Sequence, residues 1–509
     1  MKKAIWITLA VALAVIAATG AFTARAGSSS LGSLVQVSGT SPFADCGVAG
    51  QSGTLYRDSE VEPWIAVNPA DSRNIVGAWQ QDRWSNGGAR GLVAGVSKNM
   101  GHSWKQVVIP AITLCSGGDY DRASDPWVTF SPDGALYQLA LSFNDIAPPF
   151  EDRDFDHALL VSKSTDGGNT WSDPVEVIRD FDANVFNDKQ SITADPRDSN
   201  YVYATWDRLL FPPSERASVI AGFVTFAYQG PAWFARTTDG GKTWEQARPI
   251  FDPGTNSQTI GNQIVVLPNG DLVDAFDLIT QRRAVIPNQG GPSIPAYYNV
   301  AILRSTDQGE TWSEEPIVVD RLRTNFIMDP DTGEDVRTGD IIPEVAVDPG
   351  NGNLYLVWQD ARFNGVDQVA FSMSEDGGFN WSAPVKVNQT PSGIPLGNQQ
   401  AFTPSVRANA DGTVAVTYYD FRNNTPDENT LPTDYFAVQC SGGCTNPANW
   451  GSEIRLTDES FDMRQAPFAG GYFVGDYEGL GTAGGDFLAF FSQSHDEDPA
   501  SVFFRSFGP

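Results

Sequence analysis

Five near-copies of one octet, a period of about 69 residues between them, and a chain rich in glycine and proline predict an all-β fold. The fold they predict is a seven-bladed β-propeller of four-stranded antiparallel blades closed by its terminal strands, with a six-bladed propeller as the alternative. Glycine occurs 49 times and proline 33 times in 509 residues, and long helical patterns are absent, so short strands joined by turns are expected. Hydrophobic residues make up 41% of the chain, enough to pack a large core.

The octet reads Ser164-x-Asp166-x-Gly168-x-Thr170-Trp171 and recurs at Thr237–Trp244, Ser305–Trp312 and Ser374–Trp381, with a looser copy at Ser97–Trp104. It is a turn with a mechanism: Asp accepts from backbone N–H groups, Gly takes a positive φ, and Trp packs beneath. In the sixth copy Cys440, Cys444 and Trp450 take its place, so a disulfide is expected to replace the turn. The tryptophans at 104, 171, 244, 312, 381 and 450 follow one another at intervals of 67, 73, 68, 69 and 69 residues.

Strands fall at fixed places within each period. In the fifth they are Pro343–Val347, Leu354–Trp358, Val369–Met373 and Val385–Val387, an antiparallel meander. The last copy, from Tyr477, has three strands before the chain ends, and Leu34–Val37 is the expected fourth, closing the ring and removing exposed edges.

Residues 1–26 read as an export signal: Lys2 and Lys3, an apolar run from Ala4 to Phe22, then Ala24-Arg25-Ala26 as a cleavage site. The propeller then occupies residues 27–509, a secreted, extracellular and monomeric protein, or a membrane-anchored one if the signal is uncleaved. In an exported chain four cysteines suggest two disulfides, simplest as Cys46–Cys115 and Cys440–Cys444. A formal net charge of −29 excludes nucleic acid and anionic lipid as partners. Only three histidines occur, none at ligand spacing from a cysteine, which argues against zinc and against His-dependent triads.

The octets resemble the Asp boxes of the sialidase superfamily of β-propellers, and the resemblance spans about residues 34–507. It implies a glycan-active site: three arginines for a carboxylate, a Tyr nucleophile assisted by Glu, and an Asp acid/base. Asp476-Tyr477-Glu478-Gly479-Leu480 is similar to the segment that carries the nucleophilic tyrosine. Two positions depart from the pattern. Val61-Glu62-Pro63 stands where Arg-Ile-Pro is expected, and Trp84-Ser85-Asn86 where the Asp is expected.

In a meander, the loop leading into the first strand and the loop after the second share one end, and the octets lie at the other. Aligning first strands by their turns puts Glu62, Asp125, Lys189, Gly261, Ile342, Thr403 and Asp476 at one level at the first end. Two residues on, and so on the same side, stand Trp64, Trp127, Ser191, Gln263, Glu344, Ser405 and Glu478. Catalytic candidates are therefore Asp125, Glu62, Asp476 and Glu344, with Tyr477 added by the resemblance; substrate-binding candidates are Arg57, Arg122, Trp64, Trp127 and Lys189. Crowded acids must be relieved by a cation, by Arg57 and Arg122, or by protonation. No cofactor is required by the sequence, but the oxygen-rich loop with Asp329, Asp331 and Asp335 is a candidate calcium site, and Asp152, Asp154 and Asp156 form a weaker one. The expected function is a secreted sialidase-like glycoside hydrolase acting on extracellular glycan or polysaccharide. The alternatives are a non-catalytic propeller that binds glycan or protein, and a polysaccharide lyase.

Overall fold

The structure is a computed structural model that describes residues 30–48, 50–144, 155–211, 229–281, 296–427, 429–495 and 498–508. The signal segment, Asp152 and Asp154 lie outside these residues. Among the described residues no helix is long and apolar enough to cross a membrane.

Strands pair antiparallel in successive groups of four. The first unit comprises Glu60–Val67, Ile75–Arg83, Ala89–Ser97 and Lys105–Val108. The second is Arg122–Phe130, Leu136–Phe143, His157–Ser164 and Val175–Asp180. The third is Val185–Ala194, Val202–Leu210, Ala232–Thr237 and Arg248–Phe251. Ser257–Val266, Leu272–Gln281, Ala296–Ser305 and Ile317–Leu322 form the fourth. Glu344–Val347, Leu354–Asp360, Gln368–Ser374 and Val385–Lys386 form the fifth. The sixth is Ala401–Ala408, Val414–Asp420, Pro432–Cys440 and Ile454–Arg455. In the last, Gly479–Ala483, Asp486–His495 and Asp498–Phe507 are joined by Val35–Gln36, with Val35 opposite Phe504 and Gln36 opposite Phe503.

First strands touch one another in chain order, and the last touches the first. Side chains tie them laterally: Ser191 Oγ donates to the Asn262 carbonyl (2.8 Å), Thr193 Oγ1 to Ile264 (2.8 Å), and Ser405 Oγ to Glu478 (2.6 Å). Between the sheets, second-strand aromatics such as Trp79, Trp206, Trp358 and Tyr418 are wholly buried. Each such side chain stabilises by about 1.5–3 kcal/mol through the apolar area it hides.

The octets form the expected turns. Asp166 Oδ1 accepts from the N–H groups of Asn169 (2.9 Å) and Thr170 (3.0 Å), and Gly168 N–H donates to Ser164 Oγ. Burial opposes ionisation of Asp166, but the Thr170 hydroxyl and N–H, the Ser164 hydroxyl and the Asn169 N–H together outweigh it and hold the carboxyl down at about 2. The turns also join units, since Asn74 Nδ2 donates to the Gly167 carbonyl and Tyr137 Oη to that of Gly240. In the sixth unit Trp450 Nε1 donates to the Cys444 carbonyl, much as Trp381 donates to Gly378. The Cys440–Cys444 disulfide therefore does replace the octet, and Cys46–Cys115 is the second bridge.

Five first strands share a feature that turn-counting does not reveal. Register slips between Val61 and Trp64, Ser124 and Trp127, Asp188 and Ser191, Ile260 and Gln263, and Phe402 and Ser405. Within each slip one residue adopts a left-handed backbone: Glu62 (φ 53°), Asp125 (51°), Lys189 (47°), Gly261 (74°) and Thr403 (46°). These are five of the seven residues aligned at one level from the sequence. The conformation costs of order 1–3 kcal/mol for a non-glycine residue. The bulges also explain why several first strands begin earlier than expected, at Glu60 and Val185 for example, because pairing resumes beyond the slip. The last unit differs: its first strand starts at Gly479, so Tyr477 and Glu478 precede it.

Candidate functional site

The left-handed bulges turn Glu62, Asp125 and Lys189 toward one point at the end of the axis away from the octets. Asp476 arrives there from the loop before the last first strand. Lys189 Nζ lies at the centre, 3.2 Å from Glu62 Oε1, 2.8 Å from Asp125 Oδ1 and 2.6 Å from Asp476 Oδ2. Four units thus contribute to one cluster. Burial disfavours the Lys189 ammonium, but Asp125, Asp476 and Glu62 together raise its pKa well above the usual lysine value. The side chain keeps 10% of its exposure.

The three acids are not equivalent. Burial, reinforced by Asp125, pushes the Glu62 carboxyl up to about 8 despite Lys189. Gln80 Nε2 donates to its other oxygen. For Asp476 burial acts in the same direction, but Arg337 and Lys189 overcome it and hold the carboxyl well below the ordinary range. Arg337 reaches Asp476 through Nη2 at 2.9 Å and Nε at 3.3 Å. Asp125 touches the cluster through Lys189, and Asp188, whose Oδ1 accepts the Lys189 N–H at 3.0 Å, is pushed up to about 6 by burial and by Asp125.

Beneath the charges is an aromatic floor. Trp64 and Trp127 stack with ring centroids 3.5 Å apart, and Tyr477 meets Trp127 edge-on at 5.3 Å. Tyr477 Oη donates to the Pro126 carbonyl at 3.4 Å, and burial with the surrounding acids raises its pKa well above that of a free tyrosine. Among the described residues its hydroxyl makes no hydrogen bond to a carboxylate.

Other expectations are corrected by this geometry. Arg57 is exposed and Arg122 is fully buried in a structural role. Arg122 donates to Gln51, Asn86 and the carbonyls of Gly87 and Ser52, and covers Trp84 at 4.7 Å. Relief of the acids comes from Lys189 and Arg337 instead. Glu344 is buried beside Ser405 and Arg407 rather than in the cluster, and burial pushes it up to about 8. In the proposed calcium loop, Arg464 binds Asp329 (2.6 and 2.9 Å) and Asp331 (3.3 Å), while Asp335 is exposed. A guanidinium sits where the cation was expected, and among the described residues no group of three acidic, His or Cys side chains is arranged to hold a metal.

The same loop explains Arg337, which the sequence reading missed. Val336–Arg337 pairs in parallel with Tyr472–Phe473, so the loops leading into the fifth and last units are laced together across the mouth. Arg337 also covers the Phe473 ring at 4.5 Å. Only the Asp-rich character of residues 329–335 hinted at this tie.

No family model matches the chain, and no curated protein matches it. Among solved structures it is similar to the α-L-arabinofuranosidase of Fusarium graminearum solved with an iminosugar inhibitor, at 14% identity and a TM-score of 0.44, covering 76% of this chain and 92% of that one. It is similar to a Hadza microbial sialidase at 15% identity and a TM-score of 0.47, covering 85% and 76%. With the NanB sialidase of Streptococcus pneumoniae the figures are 9% and 0.43, covering 94% and 98%. What this chain does has to be argued from the residues at its mouth.

Proposed function

We propose that the chain is an exported seven-bladed β-propeller, closed by Val35–Gln36, that hydrolyses glycosidic bonds of extracellular glycans at this mouth. The cyclic contacts of the first strands support the blade count. One observation carries the activity: neighbouring carboxyls sharing Lys189 have environments that push their protonation apart, with Glu62 held neutral near pH 7 and Asp476 held ionised.

Glu62 supplies the proton. Its carboxyl protonates the glycosidic oxygen, which leaves as the alcohol, while the Asp125 carboxylate bonds to the anomeric carbon. Water then cleaves that ester, giving its proton to the Glu62 carboxylate and restoring both groups. Glu62 Oε1 and Asp125 Oδ1 hold the same nitrogen at 3.2 and 2.8 Å, so they lie too close for the wider separation of about 6.5–9.5 Å that inverting enzymes use. Retention of configuration is the expected outcome. Asp476, tied to Arg337 and Lys189, is a poorer nucleophile and positions the ammonium.

A sialidase-like demand for a carboxylate on the sugar is not what this mouth suits best, since Arg122 is buried and bonded to Gln51, Asn86 and the carbonyls of Gly87 and Ser52, and Arg57 is exposed. Neutral glycosides are the favoured substrates. A lyase using Tyr477 as base is disfavoured by its raised pKa. The second reading is a glycan-binding propeller without turnover, favoured by Lys189 filling the space between the acids. Aryl glycosides of neutral sugars and of sialic acid, assayed with the wild type, Glu62→Gln and Asp125→Gly, decide between them. Hydrolysis lost in both variants, with azide restoring turnover in Asp125→Gly, supports the hydrolase. Inactivity of the wild type on the whole panel, with glycan binding retained, supports the second reading.

A further inference from the structure

The axis holds a second chamber on the far side of the aromatic floor. Its volume is 390 Å³, and its walls come from the first strands of all seven units, running toward the octet end. That size falls in the range of small-molecule sites. The walls combine apolar side chains, with Trp64 and Trp127 at the inner end and Val128, Ile264 and Val345 along the sides, and the polar side chains of Thr129, Thr193, Gln263 and Thr482.

One charged side chain lines the chamber. Arg407 donates through Nε to the Leu480 carbonyl at 2.7 Å, and its guanidinium lies 5.9 Å from the Trp64 ring. The lateral bond holds the planar group by its Nε edge, and the side chain lines the chamber. Burial lowers the Arg407 pKa, and Glu344 is the acid that opposes this. Glu344 is itself buried and mainly neutral near pH 7, so it does not neutralise the arginine.

We propose that this chamber is a binding site for a small amphipathic carboxylate, its apolar or aromatic body against Trp64 and Trp127 and its carboxylate on the Arg407 Nη groups. A planar guanidinium matches a carboxylate in shape and hydrogen bonding. Arg407 is the one charged side chain in the lining, so a singly charged anion is the better match for it than a doubly charged one. The site is separated from the Lys189 cluster by the stacked indoles, and it does not depend on the hydrolase reading.

Isothermal titration of the full chain with 3-phenylpropionate tests it. Saturable binding at one site is expected, with a Kd of roughly 0.1 mM. The uncharged 3-phenylpropionamide should bind at least tenfold more weakly to the wild type, a comparison that needs no variant. Arg407→Met should weaken phenylpropionate at least tenfold, Arg407→Lys should weaken it less, and Arg57→Ala should leave it unchanged. No saturable heat from the wild type, or equal affinity for acid and amide, overturns the proposal. So does binding that survives Arg407→Met but is lost in Arg337→Met, because the carboxylate is then held at the mouth.

Discussion

The Lys189 ammonium lies 2.6 Å from the Asp476 carboxylate, a contact across 287 residues that joins the third unit to the last. Together with Arg337 it supplies the positive charge that three converging acids call for. An ion pair so deeply buried is costly to break by removing one member, because the survivor is left charged and unpaired. Lys189→Met should therefore lower stability by about 3–5 kcal/mol at pH 7, read from urea denaturation. A loss below about 1 kcal/mol would show that water already screens the cluster.

Glu62 gives the site a basic limit. Its folded pKa, about 8, stands above the ordinary value of 4.5. The folded state therefore binds more protons than the unfolded one between these values, and the stability gained from the neutral acid is lost as pH rises through about 8. Glu62→Gln should flatten the fall in stability between pH 5 and 9 by about 1–3 kcal/mol. Hydrolysis by the wild type should decline with an apparent pKa near 8 as the general acid is lost. A rate that stays level to pH 10 would remove Glu62 from that role.

Tyr477 can be separated from the carboxylates by one atom. Its hydroxyl makes a single long bond to Pro126, and its ring packs on Trp127. Tyr477→Phe keeps the ring and should retain turnover within about threefold, with a stability cost of about 0.5–1.5 kcal/mol for the lost bond. A fall of a thousandfold or more in kcat would restore the tyrosine as nucleophile.

The repeats made much of this legible, because counting from each turn fixes strand register. The shared level of Glu62, Asp125, Lys189, Gly261 and Thr403 follows from that count, and their left-handed backbones mark the same level. The bulge itself was hidden, since Glu62, Lys189 and Thr403 are types that rarely accept positive φ, and only Gly261 and, more weakly, Asp125 carried a signal. Lys189 was read as a substrate contact because its neighbours lie 64 and 287 residues away. Arg337 was invisible for a related reason. Its position depends on two loops pairing across the mouth, and no periodic pattern encodes that contact.

The two disulfides should differ in worth. Cys46 and Cys115 close a span of 69 residues, whereas Cys440 and Cys444 are 4 apart. On chain entropy alone the first contributes about 4 kcal/mol and the second about 2 kcal/mol. Paired Cys→Ala variants compared by urea denaturation should show that order. The reverse order would mean that the short bridge acts by shaping the sixth turn beneath Trp450, with chain entropy secondary.

Arg337→Met should expose what keeps Asp476 ionised. With Arg337 present the folded carboxyl lies well below its unfolded value, so its contribution is present above the unfolded pKa and is lost as pH falls through the folded one. Without the guanidinium, burial dominates and the Asp476 pKa rises. The variant should be destabilised by about 2–4 kcal/mol at pH 7, and the difference should shrink as pH drops below the variant's own carboxyl pKa. Activity should follow, with the acid limb of kcat/KM moving to higher pH because Asp476 no longer anchors Lys189 once protonated. Arg337→Lys, which keeps the charge but not the two-pronged contact, should fall between wild type and Arg337→Met on both measures. If Arg337→Met loses stability equally at pH 7 and pH 3 with an unshifted acid limb, Arg337 serves only to lace the two loops, and Asp476 is held by Lys189 alone.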